Sequence, residues 1–175
     1  ERGVDALVLE DRPDPRALEP RLVEWTKAGR VAGVYFLTAL DPEPELAALE
    51  LDTWRALNRD RVKTLHAICR ALYGTLGAKG AFLLCATRMG GLHGYEPQGA
   101  SNPTGGAVTG FAKAFARERP GATVKAVDFE VPASGDTVAH ALLAETEGDP
   151  GVVEVGYRDG LRFGIAVVAQ EPYEN

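Results

Sequence analysis

The sequence predicts an α/β fold, a doubly wound and mostly parallel sheet with a C-terminal antiparallel hairpin. Two observations lead to this prediction. Continuous apolar runs of strand length alternate with longer segments whose apolar residues recur at helical spacing. Such alternation is typical of a parallel sheet covered by helices on both faces. Near the carboxyl end, two runs of alternating apolar residues flank an Asp-Gly pair, which is the strongest short-range signal for a hairpin.

The first half of the chain predicts two strands and two helices. Residues 4–9 form a short apolar run with branched side chains, and 31–37, VAGVYFL, form the clearest strand. Between them, 15–28 predict a helix that ends before Gly29. After a loop punctuated by prolines, 51–73 predict a long helix with a break near Asn58.

The second half predicts two more strands, two more helices and the hairpin. The strands cover 80–87 and 124–129, the helices cover 106–119 and 136–147, and the hairpin pairs 153–157 with 161–167. Pro120 ends the first of these helices, and Ser134 or Asp136 is a suitable cap for the second. Four strands joined through helices imply right-handed crossovers between parallel neighbours.

Composition and charge exclude several classes of function. The chain has 175 residues, a size that favours a single domain over 1–175, and its net charge is −6 with a pI of about 5.1. Because no basic stripe is present, we expect neither nucleic acid nor an anionic membrane as a partner. The apolar runs are far too short to span a bilayer.

The cysteines and the first residues suggest where the protein works. Cys69 and Cys85 match no zinc or redox spacing, so we interpret them as small buried side chains in a reducing cytoplasm. The first three residues lead almost directly into the first predicted strand. We therefore expect the chain to be a piece of a longer polypeptide, without a signal peptide.

The segment after the first predicted strand argues against a bound dinucleotide. In such folds the pyrophosphate rests on a glycine-rich turn at the start of a helix. Here 10–15 read EDRPDP, with no glycine, three carboxylates and two prolines. The carboxylates would repel a pyrophosphate, and the prolines lack N–H donors. We predict that this chain binds no cofactor.

Few side chains are candidates for catalysis. Thr87 ends a predicted strand, and Tyr95 lies in the long glycine-rich loop 88–104 with no Lys close to it in sequence. His93 is more suited to stabilising that loop than to catalysis. Arg61 belongs to a charged Arg-Asp-Arg run that predicts a solvated helix face. The three His residues and the Cys residues have no metal-site spacing, so no metal is expected.

Several segments together resemble the ketoreductase region of bacterial type I polyketide synthases and polyunsaturated fatty-acid synthases. They are VAGVYFLTALD (31–41), RVKTLHAICRALY (61–73), FLLCATRMGG (82–91), GGAVTGFAKAFARERPGATVKAVDFE (105–130) and VEVGYRDGLRF (153–163). They occur in the order of that family and cover most of the chain.

The resemblance implies a Rossmann-like fold whose nucleotide and active sites are degenerate. Such regions have a structural half and a catalytic half, and the catalytic half binds NADPH and reduces a β-keto thioester on a carrier protein. This chain is similar to the structural half. The family's catalytic Tyr falls at about Gly105, its Ser at about Thr87 and its Lys at about Arg61. Only Thr87 is a conservative replacement, so no catalytic residue is expected here.

The resemblance also implies partners. The expected main partner is the catalytic half of the ketoreductase in the same polypeptide, and an acyl carrier protein is a second one. Two alternatives remain open at this stage. The chain could be an active but divergent short-chain reductase that uses Thr87 and Tyr95, or a free-standing module that binds acyl carrier protein.

Overall fold

The computed structural model describes residues 5–10, 12–27 and 29–169. Its described part contains one five-stranded sheet with the strands in chain order. The strands are β1 (Gly33–Ala39), β2 (Phe82–Thr87), β3 (Thr123–Phe129), β4 (Glu154–Arg158) and β5 (Leu161–Gly164). The helices are α1 (Pro15–Thr26), α2 (Leu51–Asn58), α3 (Thr64–Ala71), α4 (Tyr73–Leu76), α5 (Gly105–Glu118) and α6 (Gly135–Glu147).

Alternating side chains of the central strand build two separate cores. Leu83 and Cys85 of β2 pack into a core with α1, α3 and α5. Their neighbours Leu84 and Ala86 point the other way and pack with α6. Because successive strand residues face opposite sides of a sheet, the two cores lie on opposite faces. The doubly wound arrangement is thus confirmed, with β1 to β4 parallel and β5 antiparallel to β4.

The connections between the parallel strands do not all have the same hand. Each step from β1 through β4 goes to the next strand in the same direction across the sheet. Helices α3 and α5 cover one face and α6 the other. The β3–β4 connection, which lies outside the four strands for which crossovers were predicted, therefore has the opposite hand to the β1–β2 and β2–β3 connections.

The prediction of a first strand at 4–9 is wrong for the residues of it that the structure describes. Residues 5–10 adopt no strand, and Val4 lies outside the described residues. Leu7 and Leu9 instead pack against the core beneath α1 and α3. An apolar run requires burial, and packing against helices can supply that burial without pairing of the backbone.

The long helix predicted for 51–73 is interrupted where the break was expected. Helix α2 ends at Asn58 and continues as a π-helical segment, Arg59–Lys63, before α3 begins. The helix predicted for 15–28 ends at Thr26, while Ala28 lies outside the described residues. A π-helical turn rotates the residues that follow it relative to a regular helix, and such turns are frequent at functional positions.

The Asp-Gly turn of the hairpin is confirmed. Asp159 and Gly160 both have positive φ, 50° and 73°, as a two-residue turn between twisted strands requires. Strand β5 is shorter than predicted, since it ends at Gly164 and Val167 is fully exposed. In addition, β4 pairs with β3 in parallel, so the hairpin extends the main sheet.

A cluster of charges around the buried side chains of Glu145 and Lys125 joins α6 to the last three strands. The carboxylate of Glu145 accepts hydrogen bonds from Lys125 Nζ at 2.6 Å, from the Tyr157 hydroxyl at 2.7 Å and from Arg162 Nε at 2.5 Å. Burial alone would raise the pKa of Glu145, but the bonds from Arg162, Lys125 and Tyr157 outweigh it and lower the pKa to about 2. Burial and the bond to Glu145 raise the pKa of Tyr157 to about 12.

This cluster makes stability depend on pH in the acid range. The folded pKa of Glu145 is about 2 against an ordinary value of 4.5. Its stabilising contribution is therefore fully present above about pH 5 and is lost as the pH falls toward about 2. The depressed pKa corresponds to about 3 kcal/mol of unfolding free energy.

We expect Glu145→Gln to remove most of this dependence. Urea unfolding at about pH 5 and about pH 2 should show a loss of unfolding free energy that is smaller in the variant by about 3 kcal/mol. Glu147→Gln changes an exposed carboxylate on the same helix and should retain the loss. Equal pH dependence of the two variants would contradict this assignment.

Candidate functional site

The carboxylate of Asp128 organises the glycine-rich loop at the carboxyl ends of the strands. Asp128 lies near the end of β3 and is fully buried. Its Oδ1 accepts hydrogen bonds from the Thr87 hydroxyl at 2.6 Å and from Met89 N at 2.7 Å. Its Oδ2 accepts bonds from Gly91 N at 2.7 Å and His93 N at 2.9 Å. One side chain thus satisfies three backbone N–H groups and a hydroxyl.

The backbone of this loop depends on glycine at one position in particular. Gly91 has a φ of 89°, a conformation that other residues rarely adopt. A Cβ atom there would also lie 2.4 Å from the carbonyl oxygen of Tyr157. The loop can therefore approach β4 closely only because residue 91 has no side chain.

The imidazole of His93 connects the loop to β4 and α5. Its Nε2 lies 3.0 Å from the carbonyl oxygen of Val155, and its Nδ1 lies 3.3 Å from the Thr109 hydroxyl. Since a carbonyl oxygen only accepts, Nε2 carries the proton of this bond, and in a neutral ring Nδ1 then accepts from the Thr109 hydroxyl. Both ring nitrogens are engaged, which agrees with the loop-stabilising interpretation of His93.

Gly105, at which the resemblance implies a catalytic Tyr, is closely packed. A Cβ atom on Gly105 would lie 2.9 Å from Met89 Cγ and 3.4 Å from Thr87 Cβ. Met89 itself is buried. Thr87 is also fully buried, and its hydroxyl is used by Asp128. The hydroxyl of Thr87 therefore cannot reach a substrate in solvent.

The third family position, Arg61, is buried in an ion pair, so its prediction as part of a solvated helix face is wrong. The side chains of Arg61 and Glu43 are each 1% exposed, and Arg61 Nη1 lies 2.5 Å from Glu43 Oε2. Arg61 Nη2 donates to the carbonyl oxygen of Asp41 at 2.7 Å. The Thr104 hydroxyl bonds both Arg61 and Glu43, and Thr104 N donates to Glu43 Oε1 at 3.1 Å.

These contacts bring Thr87, Gly105 and Arg61 together in one buried region. Arg61 bonds Thr104, which precedes Gly105, and Gly105 packs against Thr87. The region thus holds a glycine, a hydrogen-bonded threonine and a paired arginine. Sequence analysis did not identify Glu43 or Asp128 as part of this region. Glu43 stands in a proline-rich loop and Asp128 in an apolar strand, and neither has a motif of its own.

Tyr95 lies in a different place, a shallow cleft of about 190 Å³. His93, Thr109, Lys113 and Glu154 also line this cleft, but Thr87 does not. The Tyr95 hydroxyl donates to Glu154 Oε1 at 3.4 Å, and Lys113 Nζ lies 2.7 Å from Glu154 Oε2. The hydrogen bond to Glu154 raises the pKa of Lys113, which makes its ammonium a poorer proton donor. Lys113 and Glu154 lie on α5 and β4, so only the fold brings them to Tyr95.

The N-terminus of α1 is capped by a side chain of the protein. Asp14 caps the helix, and its carboxylate accepts a hydrogen bond from Arg16 N at 2.9 Å. Arg12 pairs with Asp41 at 2.6 Å. A helix N-terminus that could attract phosphate therefore carries a carboxylate already. Asp11 lies outside the described residues.

The residues that the structure describes contain no group of three His, Cys, Asp or Glu side chains that could hold a metal ion. None of their helices is long and apolar enough to cross a bilayer. Cys69 and Cys85 are buried free thiols, and burial raises the pKa of Cys69 to about 12, so Cys69 is poorly reactive.

Solved structures with similar folds are short-chain dehydrogenases/reductases and related domains. One of them is a multidomain structure of a keto acid-selecting NRPS module, with adenylation, ketoreductase and pseudo Asub domains. The match has 15% sequence identity and a TM-score of 0.69, and it covers 86% of this chain and 12% of that chain. A mutant short-chain dehydrogenase/reductase of Serratia marcescens matches at 15% identity and a TM-score of 0.59, over 81% of this chain and 62% of that one.

An archaeal alcohol dehydrogenase from Thermococcus sibiricus, complexed with 5-hydroxy-NADP, matches at 15% identity and a TM-score of 0.61, over 94% of this chain and 75% of that one. No protein-family model and no curated protein matches the sequence. The chain thus has the Rossmann-like fold of short-chain dehydrogenases/reductases, and it spans only a small part of the NRPS module.

We expect Asp128→Ala to destabilise the protein by at least about 3 kcal/mol, because several buried donors would lose their acceptor. Urea unfolding should measure this loss, and hydrogen exchange at the amides of Met89, Gly91 and His93 should accelerate. Asp136→Ala removes an exposed carboxylate from the first turn of α6 and should cost no more than about 1 kcal/mol. Similar unfolding free energies for the two variants would show that Asp128 does not hold the loop.

Proposed function

We propose that this chain is the non-catalytic structural half of a ketoreductase of the short-chain dehydrogenase/reductase type, in a multienzyme such as a polyketide or polyunsaturated fatty-acid synthase. The observation that carries the proposal is the closed site at Thr87, Gly105 and Arg61. A reductase of this class needs a Tyr that donates a proton to the substrate carbonyl, close to a cationic side chain. Here the Tyr position is filled by packing, and the cation is paired with Glu43.

The start of α1 supports the same conclusion about the cofactor. Asp14 caps α1 with its own carboxylate, and the described residues 5–10 form no strand before this helix, so the strand–turn–helix setting of a pyrophosphate site is missing here. NADPH would then bind to the catalytic half and not to this chain. The role of this chain would be to pack against that half and stabilise its shape.

Two of the similar structures support the assignment to a reductase-related domain. One similar structure contains a ketoreductase within a multidomain chain, and another is an alcohol dehydrogenase complexed with 5-hydroxy-NADP. A divergent active reductase that uses Thr87 and Tyr95 is less well supported, because Thr87 does not line the cleft that contains Tyr95. Orientation of the reacting groups supplies much of catalysis, and these two hydroxyls share no site.

The first test concerns the cofactor. Isothermal titration of the protein with NADPH should give no saturable heat at millimolar cofactor, because the chain offers no glycine turn and carries a carboxylate at the helix start. Thermal unfolding should likewise be unchanged by NADPH, since a ligand that binds only the folded state raises stability. A micromolar dissociation constant would overturn the proposal.

The second test concerns the closed site. Gly105→Tyr should destabilise the protein by about 1–3 kcal/mol or more, because its side chain enters filled space next to Met89. It should also give no reduction of a small β-keto thioester with NADPH. Gly106→Ala is the matched control, since a Cβ atom there meets nothing within 4 Å.

The control should stabilise the protein by about 0.5–1 kcal/mol through helix propensity. Unfolding free energies from urea titration compare the two variants. If Gly105→Tyr is as stable as the wild type and reduces the thioester, the region is an open active site and the proposal fails.

A further inference from the structure

We propose that residues 45–54 form a docking surface for a partner protein that presents an apolar helix face bordered by Lys and Arg side chains. We call the exposed side chains of Leu46, Leu51 and Trp54 the α2 patch. They are 70%, 59% and 46% exposed. This inference does not depend on the proposed function.

Helix α2 is amphipathic, but its apolar residues have no core to enter. Leu51 and Trp54 are separated by three positions and therefore lie on the same side of the helix. None of the eight residues of α2 is buried. Within the part of the chain that the structure describes, α2 makes its contacts chiefly with the π-helical segment that continues it.

The α2 patch is held at both ends by buried contacts. Just before it, Glu43 is buried against Arg61 and Thr104. Just after it, the π-helical segment returns the chain to the interior through the same Arg61. A surface that is fixed in this way loses little conformational entropy when a partner binds. An exposed Trp on such a surface is a typical binding hot spot.

The charges around the patch indicate which partner it fits. Residues 41–54 contain five carboxylates and no Lys or Arg. Two of them, Asp41 and Glu43, are paired with Arg12 and Arg61. The remaining three, Glu45, Glu50 and Asp52, are exposed and are next to Leu46 and Leu51 in sequence. Among the described residues, Asp52 pairs with Arg55 at 3.0 Å, whereas no ion pair joins Glu45 or Glu50 to a cation.

An acidic rim around an apolar centre favours a partner with the opposite charge at its rim. Electrostatic complementarity accelerates association and excludes partners of like charge. A symmetric dimer through the α2 patch would bring two acidic rims together, so a second copy of this chain is a poor occupant. An anionic membrane surface is excluded for the same reason.

Calorimetric titration with a designed amphipathic helical peptide of Leu and Lys tests the proposal. We expect saturable binding at low salt, weakened by about tenfold or more in Leu51→Ser/Trp54→Ser. Glu45→Gln/Glu50→Gln should weaken it at low salt but not at high salt, because salt screens exposed charges. A peptide with Glu in place of Lys should not bind.

Two changes on α6 provide the matched control. Leu143 and Glu147 are also exposed, so Leu143→Ser/Glu147→Gln removes the same kinds of side chain from another helix and should bind the Leu–Lys peptide like the wild type. Thermal unfolding should be unchanged in all these variants, since the residues are exposed.

Three results would overturn the proposal. They are failure of the Leu–Lys peptide to bind, equal binding by the α2 and α6 variants, and binding of the Leu–Glu peptide as tightly as the Leu–Lys peptide. Sedimentation that reveals a dimer of the chain abolished by Trp54→Ser would also overturn it, because the occupant would then be a second copy.

Discussion

The arrangement of the chain at the carboxyl ends of strands β2 and β3 depends on one buried carboxylate. Asp128, the next-to-last residue of β3, accepts hydrogen bonds from the Thr87 hydroxyl and from the backbone of Met89, Gly91 and His93. In a dry interior such donors must be paired, and a charged acceptor forms the stronger bonds. Through this carboxylate, the ends of two neighbouring strands and the loop between β2 and α5 become one unit.

The loop then determines what lies under α5. It directs Met89 toward Gly105 and His93 toward Val155 and Thr109. A Cβ atom on Gly105, at the start of α5, would lie 2.9 Å from Met89 Cγ. The packing that stabilises this region therefore leaves little free space beside Gly105.

Two further buried charge clusters join segments that are distant in sequence. Glu43 and Arg61 connect the loop after β1 to the π-helical segment and to the start of α5. Lys125, Glu145 and Arg162 connect α6 to β3 and β5. Removing one partner of such a cluster leaves a buried charge without compensation, which is costly. Each cluster thus fixes one architecture, and the first also sets the position of the exposed α2 patch.

The sequence by itself determined those features that depend on local patterns. The strands of 31–37, 80–87 and 124–129, the interruption near Asn58 and the Asp-Gly turn follow from apolar periodicity and from the backbone preferences of single residues. The tertiary structure alone decided that 5–10 form no strand, that α6 covers the second face, and that Arg61, Lys125 and Asp128 are buried. The physical reason is that a local pattern specifies whether a segment must be buried. It does not specify which distant segment will pair with a buried charge or with the edge of a strand, because that depends on what the fold brings beside it.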